Sequence, residues 1–213
     1  MSAYIGALTP PASGLSPPIS YIACGMFRKL FPSRSKNSVP LDLYGSVVAQ
    51  SRLPAFYREL QIADTVAGRY DMLSLHQFLL SQMLANTDDE RAKPLNQEVF
   101  DAFTDNIDDA LRQLGVGDTS VPKRKKRLVS RFYGHIEALT PALERGDADL
   151  LLSEINSRFY DGVRDESADA LSRYIMAAYE MLGKTPYDNI LIGELAWPLL
   201  EDYLPQSKEE SLD

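Results

Sequence analysis

The chain has 213 residues, 45% of them apolar and 24% charged, which is enough to close one domain around a core. A formal charge of −8 and a pI near 4.9 exclude wholesale nucleic-acid binding and leave room only for a local basic patch. One cysteine, Cys24, and two histidines exclude an internal disulfide framework and a usual structural zinc site, and there is no apolar run of the roughly 18 residues a membrane span needs.

The first segment, "MSAYIGALTPPASGLSPPISYIACG", holds two adjacent proline pairs, which block a helix and predict a disordered extension. It has no basic residue before Arg28, unlike an organelle transit peptide or a secretory signal. The simplest expectation is a cytosol-facing protein. Met26 offers an alternative start. The next stretch, "MFRKLFPSRSK", sets Phe27, Leu30 and Phe31 among Arg28, Lys29, Arg34 and Lys36. It reads equally as a peripheral contact with anionic lipid or as a solvated tail whose aromatics pack on the domain. The division that follows is a Pro-rich and basic tail over 1–37, a helical domain over 38–205 and an acidic tail over 206–213.

From residue 41 the apolar spacing is helical. It predicts helices over 41–51, 54–61, 68–86, 95–114, 122–145, 147–160, 166–183 and 187–203. Pro54, "NTDDERAKP", "GVGDTSVP", Gly146 and "GKTPYD" mark the breaks. No period-2 strand and no internal repeat is visible, so the expected architecture is all-α, a single-domain bundle of non-repeating helices. In the third helix Met72, Leu73, His76, Leu80, Met83 and Leu84 form one stripe. In the fourth, Val99, Phe100, Phe103, Ile107, Ala110, Leu111 and Leu114 face inward, while Asp108 and Arg112 pair at i, i+4 on the outside. In the fifth the inner stripe reads Leu128, Phe132, Ile136, Leu139 and Leu143.

Three features carry possible chemistry. For acid–base work the sequence offers His76, His135 and many carboxylates, and His76 with Asp64 or Asp71 would make the chain a metal-independent all-α hydrolase. No nucleophile elbow, zinc helix or phosphate loop accompanies it, so the chain reads as not an enzyme, with no metal, cofactor or small-molecule substrate. The second feature is "PKRKKRLVSR". Arg124, Arg127 and Arg131 make a ridge with Lys123 and Lys126 beside it, while Lys125 falls on the inner side. The ridge reads either as a docking patch for ribosomal RNA or anionic lipid, or as a solvated helix face. The third is the crowd of Arg52, Asp64, Arg69, Asp71 and His76. It reads as a polar network that pins the 61–68 loop to the central helix, with Arg69 paired to Asp64 or Asp71.

"QSRLPAFY", "ADTVAGRYDMLSLH", "DDALRQLGVGD" and the basic helix ending in "FYGH" together resemble the ubiquinol–cytochrome c chaperone family, over roughly residues 44 to 180. The resemblance implies an all-α chaperone that assists biogenesis of respiratory complex III and binds newly made cytochrome b. It also implies work near the ribosomal tunnel exit and with a small partner subunit. Its characteristic residues fall here on Gln50, Arg52, Tyr57, Asp64, Gly68, Arg69, Asp71, His76, Asp108, Arg112, Gly115, Asp118 and Gly134. His135 follows Gly134 where the family's pattern has arginine. The expected client or partner contacts are Arg52, Tyr57, Asp64, Arg69, Asp71, Asp108, Arg112, Asp118, Lys123, Arg124, Arg127 and Arg131, with His76 as a structural polar group and Phe27, Arg28, Lys29, Leu30 and Phe31 as membrane contacts.

Overall fold

The computed structural model describes residues 38–162 and 165–205, all within one compact unit of helices. The expected tails over 1–37 and 206–213, with the proposed membrane contacts Phe27 to Phe31, lie outside the described residues. In chain order the helices are α1 (Val39–Ser51), α2 (Pro54–Arg58), α3 (Val66–Ala85), α4 (Ala92–Gln113), α5 (Val121–Arg145), α6 (Ala148–Phe159), α7 (Glu166–Gly183) and α8 (Tyr187–Ile190), followed by a 3-10 turn over Leu200–Tyr203. No strand occurs among the described residues.

Helix α3 is the axle. It packs against α1, α4, α5 and α7. Thirteen of its twenty residues are buried, so it has no single inner face. That corrects the one-stripe reading: Leu75, Phe78 and Leu79 are as deeply buried as Met72 and Leu80, while Leu73 is partly exposed. A surface helix needs only a stripe, but a helix ringed by neighbours needs apolar residues all round. Helices α4 and α5 are two-faced, as the sequence predicts, with two exceptions. Leu114 ends α4 exposed, and Ala110 is exposed as well. In α5 the buried set is Phe132, His135, Leu139, Ala142 and Leu143 after Val121, with Leu128 and Ile136 only half-buried at its margin.

Cross-helix contacts fix the directions. Ser81 of α3 faces Asn96 of α4 and Tyr70 stacks near Phe103, so α3 and α4 are antiparallel. Tyr70 donates to the Leu128 carbonyl and Gln82 to Thr140, so α3 and α5 run parallel. Phe100 and Phe103 on α4 meet Phe132 on α5, and Tyr44 on α1 closes the cluster against Phe103. Such ring pairs add roughly 0.5–1.5 kcal/mol each beyond their buried area.

Two boundaries differ from the sequence reading for backbone reasons. Helix α2 stops at Arg58 rather than 61, because Gln61 adopts φ 55 and turns the chain. The predicted helix over 187–203 is one helical turn, an extended stretch and a 3-10 turn. Gly193 at φ +77 ends the helix, and a Cβ there would lie 2.7 Å from Asp42 Cβ. Pro198 then removes a donor from any continuation. The extended stretch is anchored by side chains: the Trp197 indole N–H donates to Ser46 Oγ at 3.0 Å, and Leu200 is buried.

Candidate functional site

The sequence-predicted residues separate into four groups. The first lies around α2 and the start of α3. The loop after α2 returns with the Ile62 N–H bonded to the Phe56 carbonyl and the Ile62 side chain buried. Thr65 caps α3 by accepting from the Gly68 N–H at 3.1 Å. The carbonyl of Ala63 sits where a Cβ on residue 68 would be, 2.0 Å from the ideal position, so only glycine admits the loop here. This local geometry places Asp64 5 residues before Arg69 in an ion pair of 2.6 Å, with the Arg69 guanidinium 5.6 Å from the centre of the Tyr57 ring. Arg52 is exposed at the end of α1, and its charge favours the ionised form of the Tyr57 phenol. Burial raises the Tyr57 phenol, Arg69 and Arg52 oppose that, and Asp64 reinforces it. The hydroxyl donates to the Ser51 carbonyl at 2.8 Å. Arg52, Tyr57, Asp64 and Arg69 therefore form one platform of an aromatic ring with charges of both signs.

The second group is Asp71 with Arg131, at 2.7 Å between α3 and α5. Burial raises the Asp71 carboxyl and Arg131 opposes the rise. The third group is on α4 and its exit loop: Asp108 with Arg112 at 3.1 Å, Arg112 with Asp118, and Lys125 3.9 Å from Asp108. The fourth is the exposed start of α5, where Lys123, Arg124, Lys126 and Arg127 have no ion pair within the described residues. The expected ridge loses Arg131, which turns to Asp71.

His76 belongs to none of these. It is fully buried, and its Nδ1–H donates to the Met72 carbonyl at 2.8 Å while Nε2 accepts from the Tyr174 hydroxyl at 2.9 Å. Burial pushes its pKa down to about 4, so the ring is neutral. Arg69, Asp71 and His76 thus do not form the single network expected from the sequence. Arg69 pairs with Asp64, Asp71 with Arg131, and His76 with Tyr174. Nor is the acid–base constellation assembled, because Asp64 is on the surface and the Asp71 carboxylate is held by Arg131. No cluster of three or more metal-ligating side chains occurs among the described residues.

Tyr174 and Trp197 went unmarked by the sequence reading. Tyr174 is an aromatic hydroxyl within the apolar stripe of Leu171, Ile175, Ala178 and Leu182, and that interruption is the signal that marks it. It also accepts from Gln50 Nε2 at 2.9 Å, which gives Gln50 a structural role. His135 stacks on Phe159 with ring centres 6.0 Å apart.

A family model described as Ubiquinol-cytochrome C chaperone matches residues 58–197. The chain belongs to the ubiquinol-cytochrome C chaperone family. Among solved structures it is similar to the Cbp3 homolog from Brucella abortus, with 30% identity, a TM-score of 0.72, and coverage of 85% of this chain and 99% of that one. The search of curated proteins found no match. Two of the four platform residues, Asp64 and Arg69, lie inside the matched span, and Tyr57 and Arg52 precede it by one and six positions. The family's helical fold is the one described above, and no helix among the described residues is long and apolar enough to cross a membrane.

Proposed function

We propose that this chain is a non-catalytic assembly chaperone of respiratory complex III that binds newly made cytochrome b through the Arg52–Tyr57–Asp64–Arg69 platform. Family membership supports the chaperone role. The observation that carries the choice of surface is the exposure of the Arg69–Asp64 pair. Its side chains are 59% and 55% exposed. A pair so open to water adds little to stability. Yet Gly68, the Thr65 cap and the tight Ala63 carbonyl hold it rigidly beside Tyr57. A rigid surface with an aromatic ring and both charge signs suits a polar connecting loop of a membrane protein, not an apolar spanning segment. The working location is the cytoplasm-facing side of a bacterial inner membrane, and a small partner subunit and a nearby ribosome belong to the same reading.

The test is genetic and spectroscopic. Deleting the gene is expected to lower the b-type haem of complex III and ubiquinol oxidation by membranes while other cytochromes persist. Normal complex III in the deletion strain overturns the reading.

A further inference from the structure

We propose that the end of the bundle formed by the first turns of α3 and α5 and the last turn of α4 is a docking surface for anionic phospholipid. Helices α3 and α5 are parallel, and Tyr70 is bonded to the Leu128 carbonyl at 2.5 Å. One turn back from each brings Val66 and Arg124 to the same end. Helix α4 runs the other way: Asp108 meets Lys125, and Leu114 lies beyond it at that end. Val66 is 66% exposed and Leu114 59% exposed, the first and third most open of the large apolar side chains in the described residues.

Toward the same end, the first turns of α5 carry four exposed cations: Lys123, Arg124, Lys126 and Arg127. Three carboxylates toward this end already have partners. Asp71 holds Arg131, Asp108 holds Lys125 and Arg112, and Asp118 holds Arg112. The concentration is notable in a chain of charge −8. Four neighbouring cations repel one another, and those at a helix start also oppose its dipole, so stability does not explain them. An acidic partner does. Exposed aliphatics between cations match a bilayer surface, where cations meet headgroups and apolar side chains enter the acyl boundary. A nucleic acid would use the cations but leave Val66 and Leu114 without a role. Tyr133, 55% exposed two turns after Lys126 on the same strip of α5, supplies an amphipathic ring of the kind found at headgroup level.

The experiment is flotation of the full-length chain with vesicles of phosphatidylglycerol and phosphatidylcholine, or of phosphatidylcholine alone. Wild type is compared with K123Q/R124Q/K126Q/R127Q and with V66S/L114S, each checked for helicity by circular dichroism. Wild type should float with the anionic vesicles only. The charge variant should partition at least about tenfold more weakly, and the aliphatic variant several-fold more weakly, with folds intact. Equal flotation of wild type and charge variant overturns the proposal, as does an aliphatic variant indistinguishable from wild type. So does a wild type that ignores vesicles but binds structured RNA through the same four cations. No client is present in this assay, so its failure leaves the cytochrome b reading to its own test.

Discussion

The hydroxyl of Tyr174 lies 2.9 Å from Nε2 of His76, and through it α1, α3 and α7 share one chain of hydrogen bonds. Gln50 Nε2 donates to the Tyr174 oxygen, Tyr174 donates to His76, and His76 Nδ1–H donates to the Met72 carbonyl. Phe56 and Trp197 pack their rings 5.3 Å from the imidazole. Each ring nitrogen is satisfied, so the polar group sits in the core at little cost.

Tyr174→Phe keeps the shape and leaves His76 Nε2 and Gln50 without partners. It is expected to lower stability by about 1–3 kcal/mol. His76→Leu leaves the Tyr174 O–H without an acceptor and takes the second hydrogen bond from the Met72 carbonyl, and should cost a similar amount. Thermal and denaturant unfolding measure both. A change under about 0.5 kcal/mol in either variant contradicts the core assignment.

Acid should destabilise the fold before the carboxylates titrate. Burial holds both His76 and His135 at a pKa of about 4, against an ordinary value of 6.5. The unfolded chain therefore binds protons that the folded chain refuses as pH falls from 6.5 to 4. Stability is fully present above pH 6.5 and declines through that window, by about 2 kcal/mol per histidine between pH 7 and pH 5. Asp71, whose carboxyl burial raises, works in the opposite direction. Denaturant midpoints at pH 7 and pH 5 test this, and His76→Gln should remove roughly half of the slope. A midpoint that does not move between the two pH values contradicts it.

Gly68→Ala places a methyl group where the Ala63 carbonyl lies. The loop must move, the Thr65 cap loosens, and the expected loss is about 1–3 kcal/mol. Gly134→Ala on α5 meets nothing within 4 Å and should be neutral or stabilising by about 0.5–1 kcal/mol. Hydrogen exchange over 61–66 should quicken in the first variant and stay unchanged in the second. If both glycines tolerate alanine equally, the close approach at Gly68 is wrong.

Arg69→Ala removes an exposed pair and a cation over the Tyr57 ring. Its effect on stability should be slight, because water screens so open a pair, while cytochrome b recovered with the tagged chain should fall markedly. Comparison of melting temperature with client yield separates the two roles. A large drop in melting temperature, with client yield falling only in proportion, makes Arg69 a structural residue.

Much of this fold is legible in the sequence because amphipathic spacing reports the neighbours of a helix. Helices α4 and α7 have a clear inner stripe, and their existence and order follow from it. Helix α3 is less legible, since burial on every side leaves little periodicity to read. The failed helix over 187–203 turns on Gly193 and Pro198, where apolar composition suggests a helix that the backbone cannot continue. At the site, Arg69–Asp64 was readable as one of two pairings, because the sequence names the charges but not the direction in which each leaves its helix. The partner of Asp71 lies 60 residues away on α5, and that of His76 lies 98 away on α7. No local pattern encodes those distances. They follow only once α3 is surrounded by α5 and α7.

The central claim is that the platform contacts cytochrome b. The most direct measurement replaces exposed Arg52 with a photo-crosslinking amino acid in cells making complex III, and identifies what is captured after irradiation. The expected result is a crosslink to newly made cytochrome b that disappears when Arg69→Glu is added. A crosslinker at Arg52 that captures no cytochrome b, while one on the exposed start of α5 does, contradicts it.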